Sequence, residues 1–105
     1  MESLQIVDSW PAENVSVAAI SAEGELGRRG SSDRVYRWAS VTKPVVALAA
    51  LVAAEEGTID LDEPAGPPGS TMRHLLAHAS GLPFESGAPI AKPGTRRIYS
   101  NSGFE

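Results

Sequence analysis

The chain contains no cysteine, so it forms no disulfide and offers no thiolate to a metal. It has no surplus of positive charge. Thirteen acidic against nine basic side chains leave a net charge of −4, which argues against a nucleic-acid partner. It also lacks a long hydrophobic run: the apolar stretch over residues 45–54 is too short to span a bilayer, so no membrane partner is expected. The start, Met1-Glu2-Ser3-Leu4-Gln5, has neither the basic stretch nor the apolar core of an export signal. The expected location is therefore cytoplasmic, with an exported parent that has lost its leader left open. No internal repeat is visible. At 105 residues, 42% hydrophobic and 21% charged, the composition fits one small soluble domain, residues 1–105, with a modest core.

What is present concentrates around Trp38-Ala39-Ser40-Val41-Thr42-Lys43-Pro44. The apolar pattern that follows predicts a helix over residues 41–56, ended by Gly57 at the C′ position. Pro44 fits because it falls in the first turn, where its missing N–H costs little. Val41, Val45, Leu48 and Val52 form one stripe, and Val46, Ala49 and Ala53 widen it. A helix apolar nearly all round is expected to be buried in a larger body.

Ser40 and Lys43 are three apart, so their side chains share a helix face. A serine becomes a strong nucleophile when a base takes its proton. A lysine serves as that base where burial or nearby positive charge favours its neutral form. The positive end of a helix opposes the lysine charge, and its free N–H groups stabilise an oxyanion. The plainer reading of the same pair is an N-cap serine beside a solvated lysine. With twelve serines and two lysines in the chain, this spacing arises readily by chance.

Upstream, Val15-Ser16-Val17-Ala18-Ala19-Ile20 reads as a strand, Glu23-Gly24 as a turn and residues 25–29 as the returning strand of a hairpin. Val35-Tyr36-Arg37-Trp38 looks extended. Downstream, glycine and proline gather over residues 64–69 and 81–94, which reads as loop. Asp60, Asp62 and Glu63 invite a calcium reading, but the spacing and glycine of an EF-hand are missing, and a solvated turn is the plainer account. Ser70 or Thr71 caps a short helix over residues 72–78. His74 and His78, four apart, share a face and invite a metal, yet no glutamate follows His74 and no third ligand stands out, which leaves structural histidines as the better reading. Tyr99 and Asn101 flank Ser100. If the backbone is extended there, both side chains point the same way. A phenol can relay a proton and an asparagine amide can bond both a lysine and a substrate carbonyl; on spacing alone a structural role for the pair is the plainer reading.

Four segments together resemble one family. Ser40-Val41-Thr42-Lys43 resembles the S-x-x-K motif of serine β-lactamases and penicillin-binding proteins. Tyr99-Ser100-Asn101 resembles the Y-x-N motif of the class C branch, which also contains many esterases. Glu56-Gly57-Thr58-Ile59-Asp60-Leu61-Asp62-Glu63-Pro64 is similar to that branch's linker. Met72-Arg73-His74-Leu75-Leu76-Ala77-His78-Ala79-Ser80-Gly81-Leu82-Pro83 is similar to its helix followed by H-x-S-G-L-P. Order and spacing agree over residues 15–105.

The resemblance implies an α+β fold: the N-terminal part of the serine β-lactamase-like (DD-peptidase) domain, antiparallel strands followed by the nucleophile-bearing helix and a loop-rich helical segment. It implies Ser40 as the acylated nucleophile, Lys43 as its activating partner, and Tyr99 as proton shuttle to Ser40 and the leaving group. Asn101 would orient Lys43 and bind the substrate carbonyl, and the Ser40 N–H would be one oxyanion donor. The histidines have no catalytic role in it, and no cofactor or metal is implied. The family's domain is several times longer, and its later strands carry a third motif and the second oxyanion donor. Two expectations follow. One is a serine hydrolase acting on a small-molecule ester or amide, completed by a C-terminal segment of the uncut parent or of a second chain. The other is a catalytically inactive truncated fragment that self-associates or binds a partner.

Overall fold

The computed structural model describes residues 2–105. They form two compact units, one ending at Arg37 and the other Trp38–Glu105. The first begins with a 3-10 helix, Glu2–Ser9, that no apolar periodicity announces and that buries Val7. The expected hairpin follows: β1 (Val17–Ser21) and β2 (Gly24–Arg29) pair antiparallel, with Val17 opposite Arg29 and Ser21 opposite Gly24. Ala19 faces Gly27 while Ile20 faces Glu25, so Leu26 is an extra residue that bulges the second strand. An ion pair between Asp8 and Arg29 ties the 3-10 helix to β2. Residues 35–38 form no strand. Within this unit Tyr36 is held instead by its hydroxyl, 2.9 Å from Ser16 Oγ.

In the second unit, a one-turn 3-10 helix, Ala39–Val41, leads directly into α1 (Thr42–Glu55). The predicted start at Val41 thus falls one residue early, because Val41 still belongs to the tighter turn. The end matches the expectation. Gly57 adopts a left-handed φ of 76°, and its N–H bonds Ala54 O while Thr58 N–H bonds Ala53 O, the paired closure of a Schellman motif. The expected burial of α1 is not met within these residues. None of its side chains is buried, and Leu48 is 62% exposed. One side of α1 faces Leu61, Leu76 and Ala77 across an apolar cleft lined by its own Ala47 and Leu51.

Residues 58–71 cross back as turns. Thr71 caps α2 (Met72–Leu76) and forms a capping box with His74, whose Nδ1 accepts from the Thr71 N–H at 3.1 Å. The helix is shorter than the span 72–78 expected from its pattern. His78 turns left-handed at φ 57°, and the His78 and Ala79 N–H groups close back on Leu75 and His74. This is a second Schellman closure with histidine where glycine is usual. Gly81 bends the chain again. At its φ of +92° a Cβ would lie 2.0 Å from Ala91 O, so no side chain fits there. The chain ends in a 3-10 turn, Ser102–Phe104.

Candidate active site

Ser40 sits in the 3-10 turn that enters α1, just after Ala39, whose φ of 46° is unusual for a residue with a Cβ. The N-cap position of α1 is Val41, and no side chain caps it there, so the capping role open to Ser40 in the sequence is not the one built. Its exposed hydroxyl instead accepts from Lys43 Nζ at 3.3 Å, across one turn. Lys43 is half-buried and donates a shorter bond, 2.7 Å, to Asn101 Oδ1. The same ammonium stands 4.7 Å over the ring of Tyr99. Ser40, Lys43, Tyr99 and Asn101 are therefore brought together from segments 58 positions apart. Ser40, Lys43 and Tyr99 line an open cleft of about 280 Å³ with Pro44, Ala47 and Leu76.

Electrostatics single out Tyr99. Lys43 first, and then Ser40, favour its phenolate, and the charge of Arg97 adds to this, so its pKa is held below the ordinary tyrosine value. Tyr99 and Asn101 face the lysine although the backbone there is not a strand. Asn101 is already helical at φ −68° and ψ −45° and starts the terminal turn. What holds the pair is the residue between them. Ser100 is 1% exposed, and both its N–H and its hydroxyl are bonded. Its N–H donates to His78 Nδ1 at 3.0 Å, its hydroxyl donates to Pro83 O at 2.6 Å, and its Oγ accepts from Gly103 N–H at 3.0 Å.

His78 belongs to this support. Its ring stacks on Tyr99 with centroids 4.6 Å apart and lies 5.1 Å from Phe104. Accepting at Nδ1 requires the neutral tautomer with its proton on Nε2. Burial, then the charges of Arg97 and Lys43, hold its pKa below the usual histidine value and keep that form. His74 and His78 each use Nδ1 to accept a backbone N–H, and no cluster of three metal-ligating groups occurs among the described residues. Glu85 is a further participant that sequence reading missed. Its Oε1 accepts from Asn101 Nδ2 at 3.0 Å. Neither His78's packing nor Glu85's bond leaves a short-range signal, since both partners lie far along the chain.

A β-lactamase from Mycobacterium bovis, known as a crystal structure, has a closely similar fold: TM-score 0.81 and 54% identity, covering 96% of this chain and 37% of that one. The α+β arrangement expected from the sequence is thus the observed one. Residues 12–105 match the profile of the beta-lactamase family, and the chain belongs to that family, as its N-terminal portion. It is also similar to Esterase EstB of Burkholderia gladioli, 39% identical over 77 residues that cover 60% of this chain and 20% of the esterase. The chain therefore spans 20% and 37% of the lengths of these two relatives.

Proposed function

We propose that these residues supply the nucleophile and its activating groups to a serine hydrolase that cleaves an ester or amide through an acyl-enzyme on Ser40. The observation that carries the reading is the convergence on one half-buried ammonium of Ser40 Oγ, Asn101 Oδ1 and the Tyr99 ring. Ser40 Oγ forms a bond to the acyl carbon while its proton passes to the Lys43–Tyr99 pair. Tyr99 delivers that proton to the departing oxygen or nitrogen as the old acyl bond breaks. Water then attacks the acyl-enzyme, the Ser40 oxygen leaves and regains a proton by the same route, and the free acid departs. Asn101 orients Lys43 and offers an Nδ2 hydrogen to the substrate carbonyl. The Ser40 N–H is one oxyanion donor, and the reading assigns the second to a segment outside residues 1–105. Side chains and backbone donors carry the whole transfer, without a cofactor. An ester is the first substrate to try, since one relative is named an esterase.

The test is the intact mass of the chain after exposure to a fluorophosphonate, alone and joined to the remaining length of a family domain, with Ser40→Ala alongside. The expected result is one adduct that the variant loses. An adduct that persists in Ser40→Ala, or none even in the completed domain, refutes the role of Ser40.

A second reading has its own observation: no side chain of α1 is buried. On that reading the chain is catalytically inactive and self-associates, or binds a partner, through the apolar faces of α1. Native mass over a wide dilution range separates the two. Association that grows with concentration, together with an unreactive Ser40, favours the second; a reactive Ser40 on a monomer disposes of it.

A further inference from the structure

Asn101 lies between two charged side chains. Its Oδ1 accepts from the Lys43 ammonium at 2.7 Å, and its Nδ2 donates to the Glu85 carboxylate at 3.0 Å. An amide side chain has two faces of similar shape and opposite polarity, so its orientation is set by its neighbours. Here both neighbours select the same one. The flipped amide would set its NH₂ against an ammonium and its oxygen against a carboxylate, exchanging two charge-assisted bonds for two repulsions. The backbone brings the pair together, because Asn101 N–H bonds Phe84 O at 2.8 Å and so places residue 85 beside residue 101. Glu85 is otherwise exposed, and its bond to Asn101 is its one hydrogen bond among the described residues.

We infer that Glu85 is a positioning residue: it fixes the Asn101 amide so that Oδ1 faces Lys43, and it occupies one of the two Nδ2 hydrogens, leaving the other for an incoming carbonyl. The consequence for Lys43 and for the carbonyl rests on the acyl-enzyme reading; the orientation of the amide does not. Glu85 touches none of the reacting atoms. It acts through Asn101, in a chain of bonds running from the ammonium through the amide to the carboxylate.

The chain has two asparagines, Asn14 and Asn101, so ¹⁵N-asparagine labelling gives two pairs of side-chain amide resonances. Asn14 is exposed and serves as the solvated reference. In the parent chain the two Asn101 amide protons are expected to be widely separated, with the one bonded to Glu85 shifted downfield and slow to exchange. Glu85→Leu collapses that separation towards the Asn14 value. Glu85→Gln, which keeps an oxygen acceptor without the charge, retains a reduced separation. A purely structural loss would scatter the backbone spectrum instead, and Glu85→Gln would not restore the amide. In material whose Ser40 reacts with a fluorophosphonate, Glu85→Leu slows labelling about tenfold, the loss expected for one charge-assisted bond. Asn101 protons that do not move in Glu85→Leu, or a labelling rate unchanged by it, overturn the proposal. If Ser40 does not react at all, the acyl-enzyme reading falls and the amide spectrum alone decides the role of Glu85.

Discussion

Replacing His78 separates its two contributions to the site. His78→Phe keeps a ring against Tyr99 and Phe104 but removes the acceptor for the Ser100 N–H, which is left buried in a residue 1% exposed. An orphaned buried donor costs about 1–3 kcal/mol. Holding a bulky residue at a φ of 57° adds roughly 1 kcal/mol. His78→Asn does the opposite. Asparagine tolerates the left-handed backbone, and its Oδ1 falls near the place of Nδ1, so the bond to Ser100 is kept while the rings are lost. Each aromatic contact is worth about 0.5–1.5 kcal/mol, and His78 makes two. Urea midpoints should therefore fall for both variants by similar amounts. Hydrogen exchange at the Ser100 amide tells them apart: about ten- to a hundredfold faster in His78→Phe, nearly unchanged relative to global stability in His78→Asn. The pH dependence has a definite sign. Above the ordinary histidine value of 6.5 the imidazole is neutral in both folded and unfolded chain, and its contribution is fully present. Below 6.5 the unfolded chain takes up the proton first, since burial and the facing charges of Arg97 and Lys43 depress the folded pKa. Stability then declines with falling pH until the folded pKa is passed, and His78→Phe lacks that slope. A Ser100 amide equally protected in His78→Phe and the parent would refute the account.

Two further outcomes are expected. Lys43→Met removes the principal cause of the lowered Tyr99 pKa, so the phenol should move up towards its ordinary value of 10.0, read as phenolate absorbance in a Tyr36→Phe background; an unmoved titration contradicts the assignment. Gly81→Ala places a Cβ 2.0 Å from Ala91 O at a φ of +92°, and the strain alone should cost about 1–3 kcal/mol, so a urea midpoint equal to the parent's would show that the turn is not fixed as described.

The elements that could be read from the sequence are those whose cause is local. The hairpin follows from a β-branched run, a Glu-Gly turn and a short return, and Gly57 marks the end of α1 because only a left-handed residue closes that helix. The strand bulge at Leu26 and the 3-10 helix Glu2–Ser9 have no such local cause. The apolar periodicity of α1 specifies a helix but not its burial, because burial depends on partners at other positions. Val45, Leu48, Leu51 and Val52 remain 44–62% exposed. Burial of a side chain of this kind is worth about 1.5–3 kcal/mol in full, so a covering surface would stabilise this helix more than any cap.

The site divides the same way. Ser40 and Lys43 meet through helical spacing, and that contact was legible in three letters of separation. Tyr99 and Asn101 were legible only as a motif, since the physical reason they face Lys43 lies elsewhere. Ser100 is buried, and its bonds to His78, Pro83 and Gly103 clamp it, which fixes the backbone on either side and so where Tyr99 and Asn101 stand. Those three partners come from the left-handed end of α2, the loop after it and the terminal turn. The stretch from Met72 to Pro83 therefore has a physical task in this chain that involves no reacting atom. Its short helix, left-handed histidine and glycine bend build the socket into which Ser100 locks, and the socket sets where Tyr99 and Asn101 stand relative to the lysine.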